Sequence, residues 1–220
     1  NKLQAEDTHT SLIKFKRTNC LVGLTTALRP VDSTASIEIY FQKKLMKLHG
    51  ICCNELSIEN YNDIKTNYQT IYEIHQLDEL IKVISKKPIV AFDTETTSLN
   101  TREAKLVGIS FSWDLGCAAY IPIAHVHDIE KKQLDLKVVL KALKPWFADK
   151  KNTKVAHNLK YDWHILENNG IFLEGNFHDT LLQSYVLEAH KRHDLESLAS
   201  RHLDRTGLSY DDLTGKGKKR

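Results

Sequence analysis

The apolar positions in the second part of this chain repeat first with the spacing of strands and then with that of helices. Three short apolar runs, Ile89–Glu95, Leu106–Trp113 and Ala118–Ile123, predict strands. The connections between these runs are too short for a crossover, so the three strands should form an antiparallel meander.

Helices are predicted wherever apolar residues recur every three or four positions. A further short strand is predicted at Lys154–Ala156. Strands that alternate with helices indicate the α/β class, with a mixed sheet flanked by helices. The predicted helices are Leu77–Ile84, Lys131–Phe147, Leu159–Glu167, Thr180–Glu188 and Leu195–His202.

The first part of the chain has no such pattern. Residues 1–67 are interpreted as an N-terminal extension of unknown function, which ends in the polar linker Asn54–Asn67. The domain that carries the alternating pattern is expected to cover residues 68–220.

Composition excludes a membrane span and leaves nucleic acid open as a partner. The 220 residues are 41% hydrophobic, but their longest apolar runs are the length of strands, so we expect no membrane partner. The four cysteines have neither a zinc spacing nor a dense disulfide pattern, which favours a reducing compartment.

The net charge of +3 is weak. Residues 189–220 carry eight Lys and Arg against five Asp and Glu, which suits either a solvated end or a surface that faces phosphate.

Two acids at the end of a buried run are the clearest candidates for chemistry. Asp93 and Glu95 are two positions apart on a predicted strand, so both side chains should lie on one face. Two carboxylates beside apolar residues repel each other unless a cation lies between them. A hard divalent cation such as Mg²⁺ suits such ligands. A solvated strand end is the alternative interpretation.

A third acid follows the next predicted strand. Asn158 and Asp162 are four residues apart and should share one helix face, whereas Leu159, Trp163 and Leu166 should form the buried stripe. Asp162 alone could equally be a surface residue near a helix N-terminus. Together with Asp93 and Glu95, it completes a plausible carboxylate cluster.

These residues lie in segments that resemble a known family. Residues Ala91–Leu99 (AFDTETTSL) resemble the first motif of the 3′ to 5′ proofreading exonuclease domain of bacterial DNA polymerase I, and Asn158–Asp162 (NLKYD) resembles its second. The resemblance runs from about Tyr68 to Arg220. Further matching segments follow in family order: Leu106–Phe111, Ala119–Pro122 with Ala124 and His125, Asp179–Leu181 with Ser184 and Tyr185, Arg192–Asp194, Ser197–Ala199 and Gly215–Lys218.

The resemblance implies an RNase H-like fold and the DEDD type of exonuclease mechanism, with two Mg²⁺ or Mn²⁺ ions per site. It implies that Asp93 bridges both ions, that Glu95 binds the first and orients the attacking water, and that Asp162 holds the second. The activity implied is 3′ to 5′ exodeoxyribonuclease activity, for proofreading, in the bacterial cytoplasm with the nucleoid. A polymerase domain is expected on the parent chain.

The implied substrate is a single-stranded or frayed 3′ end of DNA. Leu99 and Tyr210 match family positions that wedge against or stack on the terminal bases, which tolerates any sequence. Asn158, Thr96 and Arg192 are the other expected DNA-binding residues.

One family feature is missing from the sequence. The family has a fourth carboxylate in a Tyr-x-x-x-Asp motif beyond the Gly215–Lys218 segment, and the sequence reaches Arg220 without one. Because one ligand of the first ion is then lacking, we expect this piece to be impaired as a catalyst.

Three other functions stay open. A ribonuclease of the RNase D kind shares the acids, and an inactive module that binds single-stranded DNA would keep the groove without turnover. The pair His193 and Asp194, with His157, His190 and His202, could instead bind metal as in HD-type phosphohydrolases. Asp194 also suits a helix N-cap before Leu195.

Overall fold

The computed structural model describes residues 66–114, 116–125 and 132–203. The predicted extension before residue 66 and the predicted base contact of Tyr210 lie outside these ranges. The strands are β1 (Asn67–Thr70), β2 (Ile89–Thr96), β3 (Leu106–Asp114), β4 (Cys117–Pro122), β5 (Thr153–Ala156) and β6 (Phe177–Asp179). The helices are α1 (Ile74–Ile84), α2 (Leu136–Phe147), α3 (Leu159–Asn168), α4 (Thr180–Leu187) and α5 (Leu195–Leu203).

The strands form one six-stranded mixed sheet with the order β1-β4-β3-β2-β5-β6. Strands β2, β3 and β4 pair antiparallel, which confirms the predicted meander. The pairs β1 with β4, β2 with β5 and β5 with β6 are parallel. The result is the predicted α/β class, a mixed sheet flanked by helices.

The two faces of the sheet differ in composition because side chains alternate along each strand. One face carries large apolar residues such as Phe92, Phe111 and Ile121, which join helices α1, α2 and α3 in the main core. The ring of Phe92 meets that of Phe147 edge to face, with centroids 5.3 Å apart. This dense packing fixes β2 in the middle of the sheet.

The opposite face carries small and polar residues. Its middle rows pair Asp93 with Ser110 and Glu95 with Gly108. Two small apolar clusters of the described residues lie on it: Ala91 and Val155 contact Leu195 of α5, and Ala118 and Tyr120 pack with Tyr68. The acids therefore lie on the face of the sheet opposite the main core.

Some element boundaries differ from those predicted. The helix predicted from Lys131 begins at Leu136, because the Asp135 carboxylate accepts hydrogen bonds from the N–H groups of Lys137 and Val138. Strands β1 and β6 were not predicted, since both are short and lack an apolar run. The first residue of β1, Asn67, is the last residue of the predicted linker.

Lys154 is a fully buried lysine on β5. Its ammonium donates hydrogen bonds to the backbone carbonyls of Asp149, Asn152 and Glu174, at 2.7, 3.2 and 3.0 Å. Burial lowers the pKa of this ammonium. Lys154 thereby ties the segment after α2 to the segment before β6.

In the described part of the chain, none of the helices has the length and apolar character needed to span a membrane.

Candidate active site

The first two acids lie where the sequence predicts them, at the end of β2. Asp93 and Glu95 are only 3% and 0% exposed. Both are on the face opposite the main core, because the alternate residues Phe92 and Thr94 face the other way. Two carboxylates buried side by side are expensive in free energy without positive charge nearby.

The third acid reaches the same strand from α3. Asp162 is 2% exposed, and its Oδ1 accepts hydrogen bonds from the backbone N–H of Thr94 at 2.9 Å and from the Thr94 hydroxyl at 2.5 Å. Thr94 lies between the two strand acids in sequence. Helix α3 follows β5, the parallel neighbour of β2, so the topology brings Asp162 to the end of β2.

A fourth carboxylate, that of Asp179, anchors the start of α3. Its Oδ1 accepts from the N–H of Asn158 at 3.1 Å and its Oδ2 from the N–H of Leu159 at 2.9 Å. The same carboxylate caps α4 through the N–H groups of Leu181 and Leu182. Asp179 thus joins two helix N-termini, and so determines where α3 begins and where Asp162 lies.

Asn158 differs from the predicted helical position. It is the N-cap of α3 and has a left-handed backbone with φ 66° and ψ 48°. Asparagine tolerates this conformation better than most residues. The predicted buried stripe is confirmed for Leu159 and Leu166. Trp163 is half-buried, and its ring packs against that of Phe177 with the ring centroids 4.9 Å apart.

The hydroxyl of Tyr161 connects α3 with the end of β2. It donates to the carbonyl of Ser98 and is hydrogen-bonded to the Thr96 hydroxyl. Burial raises the pKa of Tyr161 to about 12, against the effect of the Thr96 hydrogen bond.

The charges of all three acids act on the Tyr161 hydroxyl. The negative charges of Asp162, Glu95 and Asp93 all act to raise the pKa of its hydroxyl. All three carboxylates therefore lie within electrostatic range of this hydroxyl, although they come from two separate elements.

The donor set fits a hard divalent cation. All three groups are carboxylates, and Mg²⁺ is usually held by one or two carboxylates together with waters and substrate phosphate. Within residues 66–114, 116–125 and 132–203, no three or more His, Cys, Asp and Glu side chains are grouped in a way that could hold a metal ion. An ion bound here would therefore be held by one or two of these carboxylates, together with water and phosphate.

The predicted DNA-binding residues lie in different environments. Leu99 is 38% exposed and follows Ser98, which accepts the Tyr161 hydrogen bond. The side chain of Arg192 is exposed and pairs with Asp194, at 3.1 Å. Thr96 is buried and its hydroxyl is used inside the protein, so its direct contact with DNA stays a prediction.

Asp194, His157 and His193 of the HD alternative have structural partners. The backbone N–H and the hydroxyl of Ser197 both donate to Asp194, which confirms the predicted N-cap of α5. His157 is hydrogen-bonded to the Thr180 hydroxyl at 2.9 Å, and burial lowers its pKa to about 4. His193 is hydrogen-bonded to the Ser184 hydroxyl.

Sequence reasoning missed the residues that support the acids. Thr94, Tyr161 and Asp179 were not among the predicted site residues, although each lies within or next to a motif that was quoted. A polar residue between or beside two site acids was the available signal for Thr94 and Tyr161. Asp179 gave no such signal of its contact with α3, since its partners there, Asn158 and Leu159, are about twenty positions away in sequence.

Comparison with known proteins identifies the family to which this chain belongs. A family model described as 3′-5′ exonuclease matches residues 68–220. A DNA polymerase I from Pseudomonas aeruginosa is 40% identical over 158 residues, covering 70% of this chain and 17% of that protein. A DNA polymerase I from Rhizobium leguminosarum is 36% identical over 169 residues, covering 69% of this chain and 16% of that protein. The chain thus spans about a sixth of the length of these relatives.

A solved structure shares the fold. The catalytic core of RRP6 from Trypanosoma brucei superposes with a TM-score of 0.54 at 15% identity, covering 71% of this chain and 40% of that one. The mixed sheet with its flanking helices is accordingly the RNase H-like arrangement that the motifs implied. On the family match and these identities, the chain belongs to the 3′-5′ exonucleases, in the group that forms the exonuclease domain of DNA polymerase I.

Proposed function

We propose that this chain removes nucleotides from the 3′ end of DNA by hydrolysing the terminal phosphodiester bond. The observation that carries the proposal is that three buried carboxylates, Asp93, Glu95 and Asp162, all lie near enough to the Tyr161 hydroxyl for their charges to raise its pKa. Buried acids gathered in this way are typical of a site that needs a cation to function.

The three carboxylates would hold divalent ions, Mg²⁺ or Mn²⁺, two per site. When bound, such ions supply an activated water and neutralise the charge that develops on the phosphate. The protein contributes orientation: Thr94 fixes one oxygen of Asp162 through two hydrogen bonds, and β2 fixes Asp93 and Glu95 on one face. These acids are ligands rather than proton donors.

The substrate proposed is a single-stranded or frayed 3′ end. Leu99 is an exposed apolar side chain close to the Tyr161 region, as a wedge against a terminal base requires. The exposed guanidinium of Arg192 could meet a phosphate. Asn158, held in its left-handed conformation, precedes the helix that carries Asp162 and would contact the same strand.

The biological role proposed is proofreading within a DNA polymerase I-like protein, near the bacterial nucleoid. The proposal is supported by the relatives named DNA polymerase I. This chain matches about a sixth of the length of each. Polymerisation would then belong to other parts of such a protein.

The test compares wild type with Asp93→Ala on 3′-labelled single-stranded DNA, with Mg²⁺, with Mn²⁺ and without metal. Asp114→Ala is a matched control, because it removes one carboxylate at the other end of the sheet, where Asp114 pairs with Lys87 on the surface. We expect metal to strengthen DNA binding by wild type and by the control, and any hydrolysis to vanish with Asp93→Ala. Without metal, Asp93→Ala should not weaken DNA binding, because it removes repulsion. Binding and hydrolysis that are both indifferent to metal and to Asp93→Ala would contradict the proposal.

RNA of the same sequence separates the competing functions. Faster turnover of RNA than of DNA would indicate an RNase D-like ribonuclease. DNA binding that never leads to turnover, under any metal, would indicate a single-strand binding module.

A further inference from the structure

An unusual contact lies next to Glu95 on the acid face of the sheet. Glu95 pairs across the strands with Gly108. An added Cβ at Gly108 would overlap the hydroxyl oxygen of Tyr120 and the ring carbon that bears it. The phenol of Tyr120 therefore occupies the space that the side chain of residue 108 would otherwise fill.

The pairing of Glu95 with Gly108 limits how far the Tyr120 hydroxyl can lie from Glu95. Directly paired residues on antiparallel strands have Cβ atoms about 5 Å apart and on the same face. Because the Tyr120 hydroxyl takes the place of a Cβ at Gly108, it lies on the same face of the sheet as Glu95 and no more than about 7 Å from the Glu95 Cβ. Tyr120 and Glu95 are both completely buried, so no bulk solvent separates them.

The phenol is held rigidly in this position. Its hydroxyl is hydrogen-bonded to Nε2 of His125, and its ring packs with Ala118 and Tyr68. The backbone of His125 is in turn fixed by the side-chain amide of Gln133, through hydrogen bonds of 2.8 Å to its N–H and 2.7 Å to its carbonyl. The position of the Tyr120 hydroxyl is thus determined by its bond to His125, by the packing of its ring, and by the hold of Gln133 on His125.

We propose that Tyr120 is a positioning residue for Glu95: its phenol, seated over Gly108 and fixed by His125, restricts the Glu95 carboxylate to the orientations in which it binds a divalent ion. The inference rests on the proposed function, since it concerns a ligand of the same site. Tyr120 acts only through Glu95 and does not touch the substrate.

The test measures Mn²⁺ binding by the 220-residue chain in the absence of DNA, by calorimetry and by electron paramagnetic resonance. Tyr120→Phe keeps the ring and removes the hydroxyl, and we expect about tenfold weaker Mn²⁺ binding, the usual effect of removing a group that orients a metal ligand. Tyr68→Phe is the matched control, because it removes a hydroxyl from the same cluster away from Gly108. It should leave Mn²⁺ binding unchanged.

A double-mutant cycle separates positioning from general damage to the fold. In a Glu95→Gln background, Tyr120→Phe should weaken Mn²⁺ binding no further, since the residue through which it acts is already altered. Equal losses in both backgrounds would overturn the proposal, and so would wild-type affinity in Tyr120→Phe. Gln133→Ala, which releases His125 without changing the sheet, should show a smaller loss in the same direction, and tests the inference if Tyr120→Phe does not fold.

The failure of the proposed function gives a different result. Wild type would then show no Mn²⁺ binding that depends on Asp93, whatever residue stands at position 120. Mn²⁺ binding that depends on Asp93 but not on Tyr120 would overturn the inference alone.

Discussion

Asp179 is predicted to support both the stability of the fold and the geometry of the site, because one carboxylate binds the N-termini of two helices. Replacing it by alanine removes the cap of α4, which is usually worth about 1 kcal/mol. The N–H groups of Asn158 and Leu159 also lose their acceptor, and a partly buried donor left unsatisfied costs about 1–3 kcal/mol. Asp179 is half-buried, and water can replace part of its contacts. We therefore expect Asp179→Ala to lower the free energy of unfolding by about 2–4 kcal/mol.

Asp135→Ala is the matched control for this substitution. Asp135 caps α2 through two N–H groups in the same way, but contacts no second helix. It should lose only about 1 kcal/mol. Urea unfolding followed by circular dichroism measures both losses on the same scale, since the two proteins expose nearly the same surface on unfolding.

The two variants should differ also in metal binding. Asp179→Ala releases the start of α3, so Asp162 is less well held and Mn²⁺ binding should weaken, whereas Asp135→Ala should bind as wild type does. If Asp179→Ala is no less stable than Asp135→Ala and binds Mn²⁺ equally well, the account of Asp179 as the anchor of α3 is wrong.

Two further substitutions test titratable groups outside the acid cluster. Burial lowers the pKa of His157 from 6.5 in the unfolded chain to about 4 in the folded protein. Between pH 6.5 and pH 4 the unfolded state therefore binds more protons than the folded state. The free energy of unfolding should fall as the pH drops through this range. His157→Gln should remove up to about 3 kcal/mol of that pH dependence between pH 6.5 and pH 4, as measured by urea midpoints, and an unchanged slope would contradict this. Lys154→Met leaves three carbonyls without their donor and should cost about 2–4 kcal/mol in urea unfolding, with Mn²⁺ binding unchanged because Lys154 holds segments at the far end of β5.

The sequence was sufficient to predict the central meander and the position of two acids, because both depend on local patterns. The alternation along Leu106–Asp114 and the short connections on either side determine an antiparallel pairing. The period of two along β2 then places Asp93 and Glu95 on one face. Helix α2 was predicted too long, since apolar spacing alone does not show that Asp135 caps it.

The outer strands could not be predicted in this way. Residues Asn67–Thr70 are polar for a strand, and they become one by pairing with Cys117–Tyr120, about fifty positions later in the chain. Strand β6 has three residues and pairs with β5. Their structure depends on an edge that exists only once the rest of the sheet has formed, so no local pattern marks them.

The third acid shows where local reasoning about the site ends. A helical face shared by Asn158 and Asp162 was a reasonable expectation, but Asn158 has a left-handed backbone and precedes the helix. Asp162 is positioned instead by hydrogen bonds from Thr94, 68 residues earlier, and by the anchor at Asp179. Polar contacts of this range leave no periodic trace in the sequence.

The strand acids and Asp162 are therefore held by different means, and the difference has a consequence for the site. The sheet holds Asp93 and Glu95 through paired strands on a dense core, so their placement does not depend on α3. Asp162 depends on α3, and α3 begins where Asp179 fixes it. Loosening α3 should then remove only the share of metal binding that Asp162 supplies. In an Asp162→Asn background, Asp179→Ala should weaken Mn²⁺ binding no further, and an additional loss there would mean that α3 also supports the strand acids.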